Sequence, residues 1–195
     1  MATTSLFVEI LVIGSIAEIW ITLFFLSFVD INSALASPAV VLAEKFSTLL
    51  LFPLLALTYA IGWVINFLAE RLFKPYFQTK FRDQVFKGAG VKYTEARSIV
   101  IQNASDEVIN EMEFDRHILR IARGSVLNFV MIAIMLLLRA NGNTSLVIAG
   151  IVVSLAIAIV SFFQWLTRYK HSYSRILDAY KAISPKAEIL NKARK

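Results

Sequence analysis

Long apolar runs alternate with charged stretches along this chain, and the runs have membrane-spanning length. Four stand out, at about 5–29, 47–69, 122–140 and 144–166. A bilayer core of about 30 Å takes about 20 apolar residues as helix. Lipid also admits only structures that satisfy their own backbone groups. The pattern therefore predicts an all-α, polytopic membrane protein with four transmembrane helices. The third run has the shortest strictly apolar core and is expected to borrow length from the amphipathic stretch before it.

Between the second and third runs the periodicity remains helical but the residues become polar. Phe73, Phe77 and Phe81, followed by Val85, recur every four residues and share one helical face. Span two is thus expected to continue past the membrane, bent near Pro75 and broken at Gly88-Ala89-Gly90. A second helical stretch begins near Thr94, with Thr94 and Ser105 as N-caps. Asp106 and Glu107 follow Ser105, as suits the positive end of a helix dipole. Val108, Met112, Leu119 and Ala122 share a face that runs into span three. Together these make a helical hairpin between spans two and three. Its stripe of Phe73, Phe77 and Phe81 reads as hairpin core or subunit interface, with a nucleotide or lipid pocket as the rival. After span four, Ile176, Leu177, Tyr180 and Ile183 mark a C-terminal helix up to Pro185.

Charge orients this layout. Of 20 Lys and Arg residues, all but Lys45 and Arg139 lie within 70–123 or 167–195. Basic residues collect on the cytoplasmic side of membrane proteins, so the hairpin and both termini are expected there. The outer connections, about 30–46 and the Asn141-Gly142-Asn143 turn, are then short. Trp20, Trp63 and Trp165, with Tyr59 and Tyr169, fall mostly toward span ends, where amphipathic rings favour the headgroup region. The division is 1–69 for spans one and two, 70–121 for the hairpin, 122–166 for spans three and four, and 167–195 for a basic tail. Ala34-Leu35-Ala36 resembles a signal-peptidase site. Against cleavage, the stretch before it carries no Lys or Arg, is too long, and is interrupted by Glu9 and Glu18. The layout fits a prokaryotic inner-membrane protein.

The net charge of +6 follows from topology, so it gives no reason to expect direct nucleic-acid binding. The tail bases are Arg168, Lys170, Arg175, Lys181, Lys186, Lys192, Arg194 and Lys195. Beside a span, such residues are drawn to anionic inner-leaflet lipids at about 1 kcal/mol per charge. A soluble acidic protein partner is the other candidate. Within the hairpin, 70–87 holds five basic and two acidic groups, while 104–115 holds five acidic and none basic. Attraction between these two stretches is expected.

Polar groups inside spans are costly and mark candidate sites. Glu18 falls near the middle of span one. Glu9 lies nearer the cytoplasmic end, within reach of Arg120 or Arg123, and nine residues of helix turn it away from Glu18. Asn66 and Asn128 sit at similar depth in neighbouring spans. Glu18 has two accounts: lining an ion or proton path around an oligomer axis, or fixing helix packing, protonated or bonded to Thr22, Thr58 or Ser154. Small residues recur at Gly150, Ser154 and Ala158, and at Ala56 and Ala60, a spacing that lets helices approach closely. With so little room for a cavity of its own, the chain is expected to form a homo-oligomer.

Catalytic signals are missing from the sequence. It has no cysteine, no Gly-rich phosphate loop, and only His117 and His171 as histidines. Glu113 and His117 stand four apart, but helical-bundle metal sites use several such pairs. No metal and no cofactor is expected. Pro53 interrupts span two without a counterpart in the second half, unlike an inverted-repeat transporter. In layout, carried by no motif, the chain resembles the small four-span membrane subunits of bacterial anti-phage systems such as that of Kiwa, which implies a place in anti-phage defence. The expectation is a non-enzymatic membrane sensor or scaffold that relays a membrane event to a soluble partner. The alternatives are an ion channel with Glu18 in its path and a lipid-binding protein.

Overall fold

The computed structural model describes residues 2–28, 47–139 and 144–193, and omits the side chains of 2–5, 47, 78, 144 and 185–193. Among the described residues all regular structure is helical: α1 (Ala2–Phe25), α2 (Ser47–Phe73), α3 (Thr79–Phe86), α4 (Tyr93–Asn103), α5 (Asp106–Leu138) and α6 (Thr144–Ala193). Four of these, α1, α2, α5 and α6, are long and apolar enough to cross a membrane. Their outward faces carry large apolar side chains, among them Phe25, Phe52, Leu137 and Val160. In water such faces would be a liability; in lipid they are the solvated surface. Ala34-Leu35-Ala36, Lys45 and Asn141-Gly142-Asn143 lie outside the described residues.

Prolines bend the sequence expectations less than anticipated. Pro53 lies inside α2, which runs on unbroken, and α6 passes through Pro185 to Ala193. A proline forfeits one N–H bond, yet its fixed φ near −65° is itself helical. Pro75 does leave a mark: Lys74–Gln78 is one widened, π-helical turn joining α2 to α3. Thr94 is not a cap. Helix α4 starts one residue earlier, with Lys92 in extended conformation at its N-cap and no side-chain cap bond. The third apolar run does borrow length, since α5 is a single helix of 33 residues.

The chain divides into two compact units. The first comprises Met1–Glu70 and Arg120–Phe162, the second Arg71–Leu119 and Phe163–Lys195. In the first, Ile13, Ala17 and Ile65 are buried together, with Trp20, Ile61 and Leu127 packed around them. Ser154 and Ala158 are buried on α6, and a Cβ on Gly150 would touch the tip of Leu136.

The second unit has its own core of Ala96, Val100, Met112 and Ile176, flanked by Phe86, Tyr93, Val108 and Tyr180. Gly88 (φ 82°) and Gly90 (φ 70°) occupy the left-handed region that reverses the chain between α3 and α4. Beyond them, the Ala104 N–H bonds the Val100 carbonyl and closes α4.

Candidate functional site

Helices α1 and α2 meet backbone to backbone. A Cβ on Gly14 would stand 1.9 Å from the Thr58 carbonyl oxygen, and one on Gly62 1.9 Å from the Ile10 carbonyl oxygen. Only hydrogen fits at either position. This approach sets Glu18 of α1 beside Thr58 of α2, and the Thr58 hydroxyl donates to Glu18 Oε1. Thr58 is thus the partner that Glu18 takes from those anticipated.

Helix α5 supplies further polar ties of the first unit. Asn128 is wholly buried, at 0% exposure. Its Nδ2 donates to the Ile13 carbonyl at 2.8 Å, and its Oδ1 accepts from Trp20 Nε1 at 3.1 Å. Glu9, 3% exposed, accepts from Arg120 Nη1 at 3.4 Å. Arg123 Nη2 donates to Asn66 Oδ1 at 2.9 Å and lies 3.7 Å from Glu70. Each of the four polar residues singled out within spans therefore bonds a neighbouring helix. Glu9 and Glu18 use different helices, as their separation along α1 requires.

Asn128→Leu keeps the volume and removes both bonds. Interhelical hydrogen bonds of this kind contribute about 0.6–1.7 kcal/mol. A stability loss of about 1 kcal/mol is expected, read as a lower thermal midpoint of the detergent-solubilised protein. An unchanged midpoint would remove Asn128 from the packing argument.

In the second unit the aromatic stripe packs on α6. The rings of Phe73 and Phe77 lie 5.2 and 5.5 Å from Trp165, and Lys170 Nζ stands 4.9 Å above Phe81. Tyr169 and Tyr173 continue the cluster, their hydroxyls 2.6 Å apart, and Tyr93 and Phe86 close it. Phe73, Phe77 and Phe81 are each half-buried in these contacts.

Beside this cluster lies an ionic centre that periodicity alone conceals. Asp115 is 1% exposed and receives Arg175 at 3.0 Å and Arg168 at 3.5 Å. Arg175 also reaches Glu111 at 3.3 Å and His171 at 3.1 Å. The ion pairs of Glu111 and Asp115 thus run to α6, where attraction toward 70–87 was expected. Arg168 and Arg175 of α6 are the cations these two carboxylates meet. Of the tail bases, Arg168 and Arg175 are ion-paired within the chain, Lys170 is exposed but lies over Phe81, and Lys181 is exposed. The side chains of Lys186 and Lys192, and all of Arg194 and Lys195, lie outside the described residues.

Among the described residues, no three His, Asp or Glu side chains converge as a metal site would require. Sequence reading missed Gly14, Gly62 and Asp115, though each left a trace. Gly62 stands four residues from Thr58, and Gly14 interrupts the buried stripe of Ile10, Ile13 and Ala17. Asp115 occupies the open register between Met112 and Leu119 on a face otherwise apolar. No protein-family model, curated protein or solved structure matches the chain.

Proposed function

We propose that the protein is a non-enzymatic, homo-oligomeric scaffold of a prokaryotic inner membrane, with both termini in the cytoplasm. It relays a membrane event through its second unit and basic tail to a soluble partner. The observation that carries this reading is the use made of the intramembrane polar groups. Glu9, Glu18, Asn66 and Asn128 are all bonded to neighbouring helices, which favours a packing role over lining a conduction path. A separately packed polar unit with exposed Lys170 and Lys181 offers a surface for docking. Helix α6 is 50 residues long.

Native mass spectrometry of the tagged protein, gently extracted from its own membrane, tests the reading. A homo-oligomer carrying a soluble subunit at fixed stoichiometry is expected. Replacing Lys181, Lys186 and Lys192 with Gln should release that subunit and leave the oligomer intact. A bare monomer, or ion flux in liposomes that Glu18→Gln alters, would overturn the proposal.

A further inference from the structure

A concave surface opens where α3 turns back into α4. Arg82, Asp83, Phe86, Lys87, Val91, Lys92, Tyr93 and Thr94 line a cavity of about 380 Å³. Ligand pockets run from about 300 to 1,000 Å³, so this one suits a small molecule. Three of its lining side chains are cationic and one is anionic. Asp83 is bonded to Arg82 Nε at 2.9 Å. That hydrogen bond raises the Arg82 pKa above its already high ordinary value. Lys87 and Lys92 are exposed, and among the described residues neither is paired with a carboxylate.

The backbone adds donors to these charges. Helix α4 has 11 residues and begins at the cavity wall; its N-cap Lys92 offers no side-chain bond to the first turn, which carries one carboxylate, the exposed Glu95. The first N–H groups of a helix have no partner within it and carry the positive end of the dipole. Phe86, Val91 and Tyr93 supply apolar and aromatic walls.

We infer that this cavity is a binding site for a small phosphate-bearing ligand. Its phosphate sits among Lys87, Lys92 and the first turn of α4, and its remainder lies against Phe86, Val91 and Tyr93. The inference stands apart from the scaffold reading, because it concerns occupancy of one cavity and is measured without any partner.

The full chain in phosphatidylcholine nanodiscs is titrated with inorganic pyrophosphate, ATP and inositol trisphosphate. Saturable binding of at least one probe below the millimolar range is expected. Tightest binding of ATP identifies a nucleotide; tightest binding of inositol trisphosphate identifies a lipid headgroup. The exposed pair Lys87→Gln and Lys92→Gln should weaken binding by about tenfold, equivalent to about 1.4 kcal/mol. Unchanged circular dichroism would show that the variant stays folded. Absence of saturable binding by all three probes overturns the site. So does binding that the double variant weakens by less than about threefold, which would place the contact elsewhere on the basic surface.

Discussion

Gly14→Leu and Gly62→Leu are each expected to lower the thermal midpoint of the solubilised protein more than any other single change in the first unit. At 1.9 Å a new Cβ would interpenetrate a carbonyl oxygen of the opposite helix. The obstacle is backbone, so no rotamer change relieves it, and α1 and α2 must separate. Overpacking usually costs about 1–3 kcal/mol, and a backbone neighbour places these sites at the upper end. For a chain of this size, about 3 kcal/mol corresponds to a fall of about 6–12 °C. Separation also pulls Glu18 from Thr58 and strains the Asn128 bond to Ile13. Gly150→Ala is the control: its added Cβ meets only the flexible end of Leu136, at 3.0 Å. A mild effect there beside a severe one at Gly14 is the expected contrast. Equal, small losses at all three positions would mean that α1 and α2 are not in backbone contact.

Arg175→Met is expected to destabilise the second unit more than Asp115→Asn, although both break the same 3.0 Å pair. The asymmetry follows from which group is left behind. Asp115 is almost wholly buried, and without Arg175 it keeps only Arg168 at 3.5 Å. Arg175 and Arg168 are partly exposed, so water compensates them when the carboxylate is removed. Breaking a buried pair by deleting one partner costs about 3–5 kcal/mol when the remaining charge is stranded. Arg175→Met should approach the lower end of that range and Asp115→Asn should fall well short of it. The double variant Asp115→Leu, Arg175→Met should regain part of the loss, since apolar replacement of a buried pair is often neutral or better. Chemical denaturation monitored by the aromatic cluster of Trp165 and Tyr169 reads all three. Equal losses in the two single variants, with simple additivity in the double, would show that the pair is not coupled.

The membrane-spanning architecture was readable in the sequence because length and composition determine it. A run of about 20 apolar residues has few alternatives to a helix in lipid. The extension of α5 below its apolar core was also legible, since Val108, Met112 and Leu119 kept one face. Polar residues within spans were legible as candidates, because a group such as Asn128 must find a partner wherever it lies. Which partner it finds is a property of the fold. Close approach at Gly14 and Gly62 was not legible, because a glycine reports freedom of space only once the opposite backbone is in place. Proline misled in the other direction. Pro53 and Pro185 suggested interruption, but a single lost N–H bond is outweighed by the continuity of the helices on either side. The ionic centre was hidden for a further reason: its members, Asp115, Arg168 and Arg175, come from segments 53 and more residues apart.

The bonds that α5 makes to α1 and α2 also impose an order of events during synthesis. Glu9 and Asn66 enter the bilayer with the first two helices, but Arg120, Arg123 and Asn128 are still to be translated. About 50 residues separate the end of the early pair from its stabilising arginines, which takes about 3–10 s at ordinary elongation rates of about 5–20 residues per second. Through that interval the nascent hairpin of α1 and α2 holds a carboxyl and an amide without their final partners. Gly14 against Gly62, Glu18 against Thr58 and the stacked rings of Phe7 and Tyr59 are among the contacts available to keep it together meanwhile. A close glycine crossing of this kind would hold the early pair until α5 arrives, and a chain truncated before Arg120 is expected to be less stable in the membrane than the full chain.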